Sequence, residues 1–175
     1  SDHDFNSVNV VSIGVIFVLM LFVLKSVSLP VILIFTIEFA IFINMGIPYF
    51  TKTEIPFVAS IVIGTIQLGA TIDYAILITT KYIENRKSGI EKKESIEQAL
   101  GTSISSIFTS GLCFFGATFG VGAYSKLEMI GSLCTLMARG AIISMLTVVL
   151  VLPAFLMIFD RIICKTTVGM RKLKN

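Results

Sequence analysis

Five apolar runs separated by short polar links constrain this chain more than any other feature. They cover about residues 7–24, 30–50, 56–80, 100–121 and 127–159. Each reaches or nearly reaches the roughly 20 residues that an α-helix needs to cross a bilayer core. Backbone groups in hydrocarbon must find partners within their own segment, so such runs are helices rather than open strands. The expected fold class is an all-α membrane protein, with residues 1–175 forming one transmembrane domain. The last run is over-long, which predicts that it tilts, kinks or begins in the interface. Charged residues make up 14% of the chain, against about a quarter in a typical soluble protein, and they cluster between the runs.

The links set an orientation. Lys25, the charged stretch 81–98 and the tail 160–175 alternate with the links around Lys52 and Lys126. Of the 14 basic residues, only Lys52, Lys126 and Arg139 fall outside the first set. The positive-inside rule then places the 81–98 loop and the basic tail in the cytoplasm and the N-terminus outside. The expected location is the plasma membrane, as a multi-pass protein. The net charge of +3 is attributed to orientation and anionic headgroups, with no nucleic-acid partner. Within the loop, residues 91–100 read either as a short interfacial helix or as a solvated connector, with Ser88-Gly89 marking the start. The chain opens with the polar Asp2-His3-Asp4, lacks the pattern of a cleaved secretory signal and passes directly into a span, as expected of a piece of something longer.

Several kinds of chemistry find no support. Cys113, Cys134 and Cys164 form no CxxC and no cluster with histidine, so they read as small apolar core residues. His3 is the single histidine. No phosphate-binding glycine loop, metal-ligand cluster or nucleophile triad is present, so neither a cofactor nor a metal is expected. The same absences speak against an enzyme or an ATP-driven motor.

Ionisable groups inside a membrane are costly and usually face a bundle interior or a watery cavity. Three stand out: Glu38, Asp73 and Arg139. Asp73 lies in Gly69-Ala-Thr-Ile-Asp-Tyr74. Gln67, Thr71 and Tyr74 share one helical stripe, and Asp73 is the next position round the helix. A carboxyl taken out of water favours its protonated form, which lets a proton bind and leave. The alternative is a permanently paired carboxyl that only fixes packing. Glu38 and Asp73 both lie roughly 11–12 Å from the same end of their spans, at 1.5 Å per residue. Glu38 either shares a proton with Asp73 or bonds a hydroxyl to hold the bundle together. Arg139 lies roughly 30 Å from that end, too far to pair with Asp73. Its expected role is snorkelling or a structural bond to a carbonyl. Ser106, Thr109 and Ser110, with Thr102, Ser103 and Ser105, line the same half of the fourth run, where a row of hydroxyls supports either a proton-conducting water chain or helix packing. Gly64 and Gly69 on the third run, and Gly116 and Gly120 on the fourth, are expected to let helices approach closely.

The stretch IPFVASIVIGTIQLGATIDYAILITTKYIENR, residues 55–86, resembles the fourth or tenth helix of MMPL-type permeases of the resistance-nodulation-division (RND) superfamily. Ala99–Gly116 resembles that family's helix after the cytoplasmic loop, and Arg139–Pro153 resembles its last helix. The resemblance spans nearly the whole chain. It implies that these are helices 8–12 of a twelve-helix transporter built from two pseudo-repeats, each with an extracytoplasmic domain. It further implies proton-driven export of lipids, amphiphiles or drugs, with Asp73 and Tyr74 as one proton-relay pair and a like pair in the other half. The implied partners are membrane lipids, the N-terminal half and extracytoplasmic domains of the same transporter, and the exported amphiphile. Two related readings are a sterol-sensing-type bundle that binds lipid and regulates, and a protein-translocation accessory. The Asp-Tyr pair favours the pump over the first. The second carries an Asn-rich core ending in a Phe-Asp-Arg-like turn, which is absent from the third run; Phe159-Asp160-Arg161 occurs at the end of the last.

Overall fold

The structure, a computed structural model, describes residues 2–51 and 57–168. Lys52, Pro56, Arg171, Lys172 and Lys174, and the side chains of Asp2, His3 and Asp4, lie outside what is described. No strand occurs among the described residues. The helices are α1 (Asp2–Leu24), α2 (Ser28–Thr51), α3 (Phe57–Lys87), α4 (Lys92–Tyr124), α5 (Glu128–Ile158) and α6 (Asp160–Thr166). Four of them, α2 to α5, are long and apolar enough to cross a membrane, and α1 adds a shorter apolar stretch, Val10–Leu24. The protein is an all-α membrane bundle.

The helices run past the apolar segments at three places. α1 begins at Asp2 rather than near residue 7. α3 continues to Lys87 and α4 starts at Lys92, so the expected 81–98 loop shrinks to residues 88–91. The tail folds into α6 over its first seven residues. Hydropathy marks where lipid ends, whereas a helix ends only where its backbone hydrogen bonds are capped or broken. For α3 that point is Gly89, whose φ of 85° is left-handed and costs glycine little. There the Gly89 amide reaches back to the Arg86 carbonyl and the Ile90 amide to that of Asn85. Lys25 takes the corresponding left-handed position after α1, with φ 47°.

α5 is the central helix, packed against α2, α3 and α4. Close approach of α4 to α5 depends on Gly111 and Gly122. A Cβ on Gly111 would lie 3.0 Å from Met145 Sδ, and one on Gly122 3.2 Å from Cys134 Cβ. α4 is the least covered helix: 17% of its most apolar stretch is buried within the chain, against 39% for α2 and α3 and 44% for α5. α4 therefore presents an open flank, and Thr65, Gly69 and Asp73 mark an exposed face of α3.

The end of the bundle that carries Lys25, the 88–91 turn and α6, here called the basic end, is stapled. Arg86 donates to Asp160 through Nε (3.1 Å) and Nη2 (3.0 Å), and Tyr82 donates its hydroxyl to the same carboxylate. A two-pronged guanidinium–carboxylate contact is stronger and more directional than a neutral hydrogen bond. The third guanidinium nitrogen, Nη1, donates to the Ile90 carbonyl, 2.9 Å. α6 is held on its other side by Thr166 Oγ1 on Ser28 Oγ (2.9 Å), Thr167 Oγ1 on Ser26 Oγ (3.0 Å) and the Val168 amide on the Lys25 carbonyl (3.2 Å).

Candidate functional site

α3 has two polar sides. The inner one carries Gln67, Thr71 and Tyr74, which share one stripe and are all buried. It meets α2 and α5 in a compact polar knot. Asn44 Nδ2 donates to Gln67 Oε1, 2.8 Å. Gln67 Nε2 donates to Ser144 Oγ, 3.0 Å, and Thr71 Oγ1 lies 2.7 Å from the same hydroxyl. Arg139 closes the knot, with Nε on Asn44 Oδ1 and Nη2 on the Asn44 carbonyl, both 3.0 Å. Arg139 thus makes the structural bond to a carbonyl that its depth suggests. Gly140 makes the knot possible: a Cβ there would sit 2.7 Å from Asn44 Nδ2 and 2.9 Å from Gln67 Oε1.

Sequence reasoning did not single out Asn44 or Ser144. Neither ionises, and each is a lone polar residue within an apolar run. The available signal was the Gln67–Thr71 stripe, because amides and hydroxyls facing into a membrane bundle need partners on neighbouring helices.

The outer side of α3 carries Asp73. It is exposed from this chain, as are Thr65 and Gly69 one and two turns away. No hydrogen bond or ion pair to Asp73 occurs among the described residues, and none joins it to Glu38. The next residue, Tyr74, is buried at 6% exposure and directs its hydroxyl at Ser110 Oγ on α4, 3.4 Å. Ser106, Thr109 and Ser110 are exposed on the same open flank. Thr109 Oγ1 returns to the Ser105 carbonyl of its own helix, 2.8 Å, and Ser106 makes no hydrogen bond among the described residues. Of these hydroxyls, only Ser110 is brought to the Asp73–Tyr74 pair.

Glu38 and four of the glycines make none of the expected contacts among the described residues. Glu38 is half-buried with Oε1 enclosed and unpartnered, so it makes neither the carboxyl pair nor the hydroxyl bond considered for it. The helix approaches assigned to Gly64, Gly69, Gly116 and Gly120 are not made inside this chain, since nothing lies within 4 Å of a Cβ built at any of them. Glycine permits close approach only where another helix arrives, and within the chain that happens at Gly111, Gly122 and Gly140.

The space between the two sides of α3 also matters. A small, partly open cavity of about 10 Å³ lies against Gln67, Tyr74, Ser144 and Phe114. That is close to the smallest volume that holds one water. Nearer the basic end, Thr79 Oγ1 and Ser103 Oγ are buried without a partner. The α3–α4 contacts Tyr74–Ser110 and Asn85–Ser95 bracket both in sequence. Ser103 shares the face of α4 that makes those contacts, whereas Thr79 lies roughly 120–140° round α3 from Tyr74 and Asn85 and faces away from α4. Among the described residues there is no group of histidine, cysteine and carboxylate side chains able to hold a metal.

Comparison with known proteins agrees with this architecture. The family model described as "MMPL family" matches residues 1–172. The probable transport protein MmpL1 of Mycobacterium tuberculosis (strain CDC 1551 / Oshkosh) is 23% identical over 91% of this chain and 17% of its own length. The membrane protein YdfJ of Bacillus subtilis (strain 168) is 36% identical over 50% of this chain and 13% of its own. The probable transport protein MmpL12 of M. tuberculosis is 26% identical over 59% of this chain and 9% of its own. The chain therefore spans less than a fifth of the length of each of these relatives. No solved structure matches. With the family model covering almost all of its residues and the helical membrane bundle it forms, this chain belongs to the MMPL family of RND-type membrane transporters.

Proposed function

We propose that this chain is the C-terminal membrane half, helices 8–12, of a proton-driven exporter of lipids, amphiphiles or drugs. In this reading Asp73 and Tyr74 form its intramembrane proton relay. The observation that carries it is the placement of Asp73: a carboxylate in a membrane-spanning helix, on a flank that its own bundle leaves open. An intramembrane carboxylate needs a partner or a water-lined cavity. The open flank fits a partner helix. Thr102, Ser106, Thr109, Cys113, Gly116 and Gly120 follow one another in steps of three and four along α4, the spacing of a helix-packing seam of small residues. The other half of the transporter would cover it, and Gly69, Gly116 and Gly120 would make their close contacts there.

The relay requires a route from Asp73. Tyr74 links it to Ser110, and the unpartnered hydroxyl of Ser103 lies about two turns further along α4 toward the basic end. Buried hydroxyls without protein partners are the groups that internal water serves. The basic end is the cytoplasmic one in this reading, so the N-terminus lies outside.

The test is Asp73→Asn in the full-length transporter reconstituted in vesicles with an imposed pH gradient. Export is expected to fall at least about a hundredfold, on the scale of removing a group that transfers a proton, with expression unchanged. Normal export by the variant would refute the relay. Glu38→Gln is expected to be milder, since Glu38 and Asp73 make no contact. Equal severity would make the two carboxyls a coupled pair.

A further inference from the structure

At the basic end a broad groove of about 580 Å³ opens between α2, α5 and α6, a volume within the range of small-molecule sites. Its walls are apolar: Val31, Ile32 and Phe35 from α2, Phe155 from α5, Phe159 at the α5–α6 joint and Ile162 from α6. Aromatic rings line it in sequence, Phe35 edge-on to Phe155 at 5.6 Å and Phe155 tilted to Phe159 at 6.3 Å. Phe35 is 61% exposed and Val31 56%, so none of the described residues covers them.

The groove is open at a particular depth. It begins beside the α1–α2 turn and α6, where the apolar spans end, and extends up α2 for about two turns. Charge at its mouth has one sign. Lys25, Arg161 and Lys165 are exposed and make no ion pair among the described residues. The acidic residue of α6, Asp160, is turned inward and committed to Arg86 and Tyr82. On α6, Lys165 follows Ile162 by three positions and so borders the groove-facing side. The hydroxyls of Ser28 and Thr166, bonded to each other, form a polar step between the charged mouth and the apolar walls.

An apolar slot in the hydrocarbon with cations at its mouth matches the two ends of one kind of molecule. We infer that this groove is a specific site for an anionic glycerophospholipid, with an acyl chain along Val31, Phe35 and Phe155 and the phosphate at Lys25 and Lys165. Basic pockets between membrane helices bind anionic headgroups, and each Lys or Arg near the surface contributes about fivefold in affinity. The site lies on the flank away from Asp73 and does not depend on what the transporter carries. α6 owes its position to the α3 and α1–α2 staples, so the groove is preformed rather than induced.

The test uses the full-length transporter in lipid, with Phe35→Trp as a fluorescent reporter and the parent protein's emission subtracted. Phe159→Trp at the mouth is an independent second reporter if the first variant does not fold. Phosphatidylglycerol and phosphatidylcholine, each brominated in the acyl chain, are titrated as quenchers. The expected result is half-maximal quenching by phosphatidylglycerol at a mole fraction at least about fivefold lower than by phosphatidylcholine. Lys25→Gln with Lys165→Gln is expected to bring the two lipids together. Equal quenching in the parent background would reduce the groove to ordinary lipid contact and overturn the site. Absence of quenching would mean that another part of the transporter fills it, and a preference that survives loss of both lysines would remove the headgroup assignment.

Discussion

Two residues of α3, Thr71 and Asp73, lie two positions apart and have opposite surroundings. Thr71 belongs to the knot with Gln67, Asn44, Ser144 and Arg139, where three helices supply one another's donors and acceptors. Asp73 has no hydrogen-bond or ion-pair partner among the described residues and is exposed, as are Gly69 on its own helix and Ser106 and Thr109 on α4. In a membrane, polar groups that satisfy each other hold helices together, whereas an unsatisfied carboxylate must find its partner outside its own bundle. The contrast separates residues that hold this bundle together from one that makes no bond among its described residues.

The contrast can be broken by mutation. The largest difference expected is between Asp73→Asn and Gly140→Val in the full-length transporter. The first removes export with a much smaller fall in the thermal unfolding midpoint than the second, because no bond among the described residues is lost and only the proposed contact with the other half is weakened. The second forces a branched side chain into the Asn44–Gln67 contact and should destabilise the protein by about 3 kcal/mol, the upper range for overpacking. A fall in thermal stability with Asp73→Asn that matched Gly140→Val would erase the distinction.

A smaller effect is expected for Gln67→Leu, which deletes the central amide of the knot. Interhelical hydrogen bonds in membranes contribute roughly 1 kcal/mol at most sites, so denaturant unfolding should show a loss of that order. A loss several times larger would mean that the knot acts cooperatively rather than bond by bond.

The smallest expected effect lies outside the spans. Burial first, and the neighbouring Asp160 carboxylate second, push the Cys164 thiol above its usual range. Less thiolate is then present at a given pH, so iodoacetamide should modify Cys164 more slowly in the folded protein than after denaturation. The linked stability has the matching sign: a thiol whose pKa is raised by folding favours the fold below the unfolded thiol's pKa and loses that contribution as pH rises through the folded one. Equal alkylation rates in the folded and denatured protein would show α6 to be undocked.

The spans were legible because lipid imposes a length on any helix that crosses it, and no side-chain detail is needed to see a run of 20 apolar residues. The helix ends were not, because α3 carries Tyr82 and Arg86 beyond the apolar run to reach Asp160. Arg86, which reads from the sequence as one more orienting charge, is half of a part-buried ion pair. The inward stripe of Gln67, Thr71 and Tyr74 was readable from spacing. The same spacing sets Asp73 about 100° from Tyr74, and the outward face follows once the stripe is known to face in. The knot's other members were hidden, since Asn44 and Ser144 gain meaning only when α2 and α5 are brought beside α3.

The docking of α6 has a mechanical consequence. A seven-residue helix bonded to α3 on one side and to the turn between α1 and α2 on the other acts as a crossbar between the ends of four rods. The Asn44–Gln67–Arg139 knot ties α2, α3 and α5 a second time, further from α6. Neither the crossbar nor the knot includes α4, whose side-chain bonds to the rest are Tyr74–Ser110 and Asn85–Ser95 among the described residues. The bundle is thus a frame lashed at two levels, with α4 laid against it.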